Sequence, residues 1–181
     1  MGKSIKTKEN IMNNLTVENA QIIFRNLEGR EDQYNRAGKR GFSLLINDQE
    51  MANRLMADGW NVKALRQRDP EDPPAWHLPI AVNYGGYNPP NITLVTPVGG
   101  GKYVSTVMDE DIVHRIDTFD IDHCDLIINP YEWSVNGKSG VKAYLKNMYV
   151  VISPNPFADK YETVSTGGSA IPQDEAQLPF E

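Results

Sequence analysis

The sequence predicts a mainly β protein, an antiparallel barrel with two short helices and a flexible acidic tail. Three observations predict it. Short apolar or alternating runs recur between Gly, Pro and Asn turns. Only two segments carry helical spacing. After Ser153 the composition shifts to Pro, Gly, Ser, Thr and acid.

Residues 1–14 read as a flexible basic arm. LTVENAQIIFRNLEG (15–29) reads as a first strand, with Ile23, Arg25 and Leu27 alternating against Ile22, Phe24 and Asn26. REDQYNRAGKR (30–40) is a polar loop, and GFSLLIN (41–47) a second strand. DQEMANRLMADG (48–59) is a short helix, with Asn47 as its expected cap, Glu50 three residues on, and Gly59 as its stop. WNVKALRQR (60–68) alternates like a strand before the breaker DPEDPP. HLPIAVNYG (77–85) and NITLVTP (91–97) are strands, and GGGK (99–102) turns the chain into YVSTV. DEDIVHRIDTF (109–119) reads as a helix with acids in its first turn.

CDLIINPYEWSV (124–135) and GVKAYLKNMYVVI (140–152) are the clearest strands, and Asn136-Gly137 is a hairpin signal between them. A helix followed by a final hairpin is compatible with a five-stranded OB-type barrel. Residues 15–153 form one expected domain, and 154–181 an expected disordered acidic tail.

The 181 residues suffice for one ordinary domain. No apolar run of the length a membrane span needs is present. The polar start lacks the apolar stretch of a secretion signal, and the single cysteine, Cys124, cannot make an internal disulfide. An intracellular, soluble protein is expected. The net charge of −6 at first argues against a nucleic-acid partner. Residues 154–181 hold five acids against Lys160, so −4 of that charge lies in the tail and −2 in the rest. Charge on one face matters more for phosphate contact than the total.

Motifs for catalysis are weak. GGGK and NGKS lack the first glycine of a phosphate-binding loop, since Thr96 and Glu132 stand there. Asp120, Asp122 and Asp125 cluster near His123, where an acidic group could hold Mg²⁺ for a small nuclease or resolvase. A solvated helix-to-strand loop is the simpler reading of them, and an enzyme is the weaker class. No histidine pair has metal-ligand spacing, and no cofactor is expected.

Basic and aromatic residues interleave in three places. One is Tyr34, Arg36, Lys39, Arg40 and Phe42. The second surrounds Trp60, with Lys63, Arg66 and Arg68. The third is the final hairpin, with Tyr131, Trp133, Lys138, Lys142, Tyr144 and Lys146. Lys142, Tyr144 and Lys146 fall at every second position, so a strand sets them on one face while Val141, Ala143 and Leu145 face the core. The combination suits single-stranded nucleic acid: cations follow phosphates and rings stack on bases. Alternating lysines are also an ordinary solvated face that protects an edge. The expected DNA-binding residues are Tyr34, Arg36, Lys39, Arg40, Phe42, Lys63, Trp133, Lys138, Lys142, Tyr144 and Lys146. Trp60 and Trp76 are expected to pack.

EDQYNRAGKRGFSLLI, MADGWNVKALRQRD, IAVNYGGYNPPNITLVT and PYEWSVNGKSGVKAYLKNMYVVI, in this order, resemble a family of phage-encoded single-stranded DNA-binding proteins with an OB-type fold. The resemblance spans roughly residues 15–153. It implies non-catalytic coating of single-stranded DNA in phage replication or recombination, in the cytoplasm of an infected bacterial host. QDEAQLPFE is similar to the acidic tails by which such proteins recruit replication partners, which makes Asp174, Glu175, Pro179 and Phe180 the expected partner-binding residues. In the bacterial proteins the aromatic residue is the last one, whereas Glu181 follows Phe180 here. A homo-oligomer or a cooperative array on DNA stays open. So does a third class, a phage protein-interaction module whose basic face meets another protein.

Overall fold

The structure is a computed structural model that describes residues 12–155 and Phe157. The described chain runs β1 (Leu15–Ala20), β2 (Ile22–Asn26), β3 (Arg40–Ile46), α1 (Gln49–Ala57), β4 (Lys63–Ala64), β5 (Trp76–Val82), β6 (Asn91–Gly99), β7 (Lys102–Val107), a 3-10 helix (Val113–Thr118), β8 (Ile121–Val135) and β9 (Lys138–Ile152).

The hydrogen-bonded order is β1-β8-β9-β5-β3-β2, with β4 on β5, β6 on β9 and β7 on β6. Only Gln21 separates β1 from β2, so the two ends of that path are halves of one bent strand. The sheet therefore returns on itself through the chain rather than through a ladder. The Leu45 N–H donates to the Gln21 carbonyl at 2.9 Å and ties the bend to β3. Pairing is antiparallel except where β9 meets β5 and β6, which run parallel to it. Periodicity marks strands but not partners, so these two parallel contacts, between segments far apart in sequence, carry no sequence signal.

The core lies inside the curl. Leu27, Leu44, Ile46, Leu78, Ile80, Ile116, Leu126, Ile128, Met148 and Val150 are fully buried in it. Each such side chain contributes about 1.5–3 kcal/mol by leaving water. Cys124 is buried there too, and burial pushes its thiol up to about 12. Met12, ahead of β1, packs against this core, and residues 1–11 of the expected basic arm lie outside the described residues.

Three elements differ from expectation. The cap of α1 is Asp48 rather than Asn47, because Asp48 has the extended backbone of a cap and its carboxylate accepts from the Glu50 N–H at 3.0 Å. Gly59 ends the helix at φ +97, and its carbonyl accepts from the Val141 N–H at 3.0 Å, which ties the helix end to β9. The expected strand 60–68 shrinks to β4, because Trp60 turns into the core and bridges to Val141 instead. The expected helix 109–119 is a capped turn and a short 3-10 helix. Its end carbonyls are taken by Arg25, whose Nη1 donates to Ile116 O at 2.7 Å and Phe119 O at 2.8 Å.

Candidate nucleic-acid interface

Residues directly opposite each other in a ladder share a face. On the outer side of β8 and β9, Val135 faces Lys138, Trp133 faces Gly140, Tyr131 faces Lys142 and Asn129 faces Tyr144. Tyr144 lies beside Ala81 of β5. Ala81 faces Gly41, Pro79 faces Ser43 and His77 faces Leu45 in β3. Lys63 of β4 faces His77. One outer surface thus spans β8, β9, β5 and β3. Small residues floor its middle, and rings and cations stand along it.

Asn136 and Gly137, both at positive φ, join Val135 directly to Lys138, which is the two-residue hairpin turn expected of Asn-Gly. From Gly140 to Leu145 the alternation is regular. Val141, Ala143 and Leu145 are buried, while Lys142 is exposed and Tyr144 half-buried. Lys142 Nζ sits 5.2 Å from the Tyr144 ring centroid. Tyr131 meets Tyr144 edge-on, with centroids 6.0 Å apart and planes at 83°. Tyr131 is 56% exposed and was not among the expected contacts, although its cluster was. The Trp133 indole lies over Gly140, where an added Cβ would come within 3.0 Å of it.

Lys146 occupies a bulge. Leu145 faces Ile128 and Asn147 faces Ile127, so Lys146 has no opposite residue. Beyond it the inward positions become Met148 and Val150, and Tyr149 turns outward. From Lys138 to Lys146 the outer row is about 26 Å long at about 3.3 Å per residue.

The 27–39 loop lies at the other end of this surface from the hairpin tip. Arg40, which closes the loop, faces Val82 one step beyond the Ala81–Tyr144 contact. The loop is built on two asparagines. Asn26 Oδ1 accepts from the Gly29 and Arg30 N–H groups at 3.0 and 2.9 Å. Asn35 Nδ2 donates to the carbonyls of Arg30, Arg36 and Lys39. This scaffold leaves Tyr34 88% exposed and Arg36 and Lys39 in solvent. Among the described residues no ion pair engages Arg36, Lys39, Lys63, Lys138, Lys142 or Lys146.

Two expected contacts change role. Phe42 is 3% exposed and faces Ile80 inside the barrel. It follows the basic loop in sequence, but it shares the phase of the buried Leu44 and Ile46, so its ring belongs to the core. Arg40 is engaged on three sides. Its Nε donates to Leu27 O at 3.1 Å, its Nη1 pairs with Glu110 at 3.1 Å, and its guanidinium carbon stands 5.5 Å from the Tyr84 ring centroid. It holds the loop in place. Burial pushes the Tyr84 phenol beside it up to about 12.

A further pair escaped the sequence reading. Phe24 sits in a bulge of β2 at φ +54 and is 63% exposed. Its ring meets His77 edge-on at 5.3 Å, and His77 Nδ1 lies 3.0 Å from Ser43 Oγ. Burial, with Lys63 nearby, holds the His77 pKa below its ordinary value. Regular alternation places Phe24 with Ile22, which faces the core, and no Gly or Asn announces the bulge.

Two of the three aspartates of the nuclease alternative serve other partners. Asp122 pairs with His123 Nδ1 at 2.7 Å, and Asp125 Oδ1 accepts from the Asn19 N–H at 2.9 Å. Among the described residues no group of three or more His, Cys, Asp or Glu side chains could hold a metal ion. The GGGK glycines form the β6–β7 turn rather than opening a helix. Asp174, Glu175, Pro179 and Phe180 lie outside the described residues. No helix among the described residues is long and apolar enough to cross a membrane.

The pattern of a family described as a putative phage ssDNA-binding domain matches residues 4–178. No curated protein matches the chain. Among solved structures, the chain is similar to the single-stranded DNA-binding protein of bacteriophage Enc34. A C-terminally truncated form has 13% identity and a TM-score of 0.45, over 80% of this chain and 88% of that one. The same protein in complex with ssDNA has 12% identity and a TM-score of 0.46, over 80% and 89%. A third structure of it has 13% identity and a TM-score of 0.44, over 90% and 89%.

Proposed function

We propose, for a chain that belongs to the family of putative phage ssDNA-binding domains, that it binds single-stranded DNA without catalysis and with little regard to sequence. The strand follows the outer row of the β8–β9 hairpin toward the 27–39 loop. One observation supports this most: Lys142 Nζ over the Tyr144 ring, with Tyr131 edge-on behind it. A base stacks on the ring while the ammonium meets the adjacent phosphate. Lys138 and Lys146 at the ends of the row, with Trp133, Lys63, Tyr34, Arg36 and Lys39, extend the path. Stacking is sequence-tolerant because every base has a π-face.

In this reading the protein protects single strands during phage replication or recombination in the host cytoplasm. Residues 15–153 bind DNA, and the acids, Pro179 and Phe180 of the C-terminal segment recruit a replication partner.

The test is fluorescence anisotropy with labelled oligo-dT, the same length of RNA, and a duplex, over a salt series. We expect tight dT binding that weakens steeply with salt, and weak duplex binding. Replacing Lys142, Tyr144 and Lys146 together by Ala should weaken dT binding at least tenfold, since one stacked base alone is worth about 1–3 kcal/mol. Indifference to dT at low salt, or undiminished binding by the triple variant, overturns the reading.

A further inference from the structure

We infer that Phe24, His77, Ser43 and Lys63 form a second nucleobase subsite, on the outer face of β2, β3 and β5 and separate from the Tyr144 platform. The inference rests on the single-strand reading above and extends the bound strand beyond the hairpin.

Four observations converge. First, the backbone holds Phe24 at φ +54, a region where a bulky L-residue is an outlier. Second, that conformation buries little of the ring it turns out, which is 63% exposed. Strain that buries so little of a ring suits one that waits for a ligand. Third, the ring beside it is fixed. His77 is gripped by Ser43 Oγ at 3.0 Å through Nδ1, and it stands edge-on to Phe24 at 5.3 Å. Fourth, a cation lies on the same face: Lys63 is opposite His77 and engages no ion pair among the described residues.

These parts match an unpaired nucleotide. The face of Phe24 receives the base. Lys63 meets the phosphate.

Phe24→Gly gives a discriminating test, because glycine adopts this φ without strain. A ring kept for packing makes the variant less stable. A ring kept for a ligand leaves the melting temperature unchanged or higher while binding falls. The full chain and the variant are compared by anisotropy with labelled oligo-dT and with an abasic oligomer of equal length. We expect Phe24→Gly to bind oligo-dT about fivefold or more weakly, to bind the abasic oligomer as before, and to melt no lower than the parent. An oligo-dT carrying 5-iodo-deoxyuridine, photocrosslinked to the unaltered protein, should yield adducts at Phe24 or His77.

Equal dT binding by Phe24→Gly, or a lower melting temperature with no adduct at either ring, overturns the subsite and leaves the hairpin reading standing. Failure of the unaltered protein to bind dT removes both.

Discussion

The β9 hairpin and β2 each place an aromatic ring on the outer face, and they do so by opposite means. Tyr144 stands on a regular stretch of strand. Its neighbours Ala143 and Leu145 are buried, and its ring is supported by Tyr131 and Lys142. Phe24 stands on a bulge with a left-handed backbone, and its ring touches His77 by an edge. The first arrangement is stabilised by its own pairing. The second carries a conformational cost, of order 1–3 kcal/mol for a sparsely populated backbone region. The same side-chain role can therefore rest on a strong local structure or a strained one.

Glycine substitution should separate the two most widely. Tyr144→Gly loses a strand-forming residue, about 0.5–1 kcal/mol, and an aromatic pair, about 0.5–1.5 kcal/mol. Phe24→Gly relieves about 1–2 kcal/mol of left-handed strain, set against about 0.5–1 kcal/mol for the freer unfolded chain and about 0.5 kcal/mol for its exposed edge contact with His77. Urea unfolding should thus place Tyr144→Gly about 1–2.5 kcal/mol below the parent and Phe24→Gly about level with it or above. Equal losses in both would show that β2 is not strained, and the contrast would collapse.

This contrast also marks what the sequence makes legible. The outer row Lys138, Lys142, Tyr144 could be read because strict alternation tells in from out, and Asn136-Gly137 fixed the turn. Alternation marks Lys146 as exposed but not the bulge it occupies, so it does not show the outward turn of Tyr149. Phe24 escapes alternation for the same reason: a bulge shifts the phase by one residue, and Phe gives no turn signal. Phe42 follows basic residues along the chain, but nearness in sequence is not nearness in space, and its ring is buried opposite Ile80. Arg40 has the right charge, but Leu27, Glu110 and Tyr84 hold it. Those partners come from three separate loops that no local pattern connects.

Salt should sharpen the comparison next. A cation that meets a phosphate contributes about 0.7 to the slope of log affinity against log salt for a single strand. Lys142→Ala and Lys63→Ala should each flatten that slope by about this amount. Tyr144→Ala and Phe24→Gly should lower affinity at every salt concentration and leave the slope alone. A lysine variant with an unchanged slope would remove that residue from the phosphate path, whichever ring it neighbours.

The smallest effect is the one peculiar to the Phe24 side, because only there does a histidine stand beside the exposed ring. Burial first, and Lys63 second, hold the His77 pKa below 6.5. The unfolded chain therefore takes up the proton at a higher pH than the folded one. Between 6.5 and the lower folded value, the unfolded state binds more protons, so stability falls as pH falls through that window. His77 is only half-buried, so the effect is small and the signal lies in a difference. The melting temperature of the parent should drop slightly more between pH 7.5 and 5.5 than that of His77→Gln, which keeps a hydrogen-bonding group near Ser43 but cannot titrate. Bound DNA should reverse the sign, since a phosphate beside the ring favours the imidazolium that Lys63 opposes. Oligo-dT affinity should then rise on acidification in the parent and rise less in His77→Gln, while Tyr144→Ala keeps the full pH response. A pH response equal in the parent and His77→Gln would place the phosphate away from His77, and the strand would then reach Phe24 by its base alone.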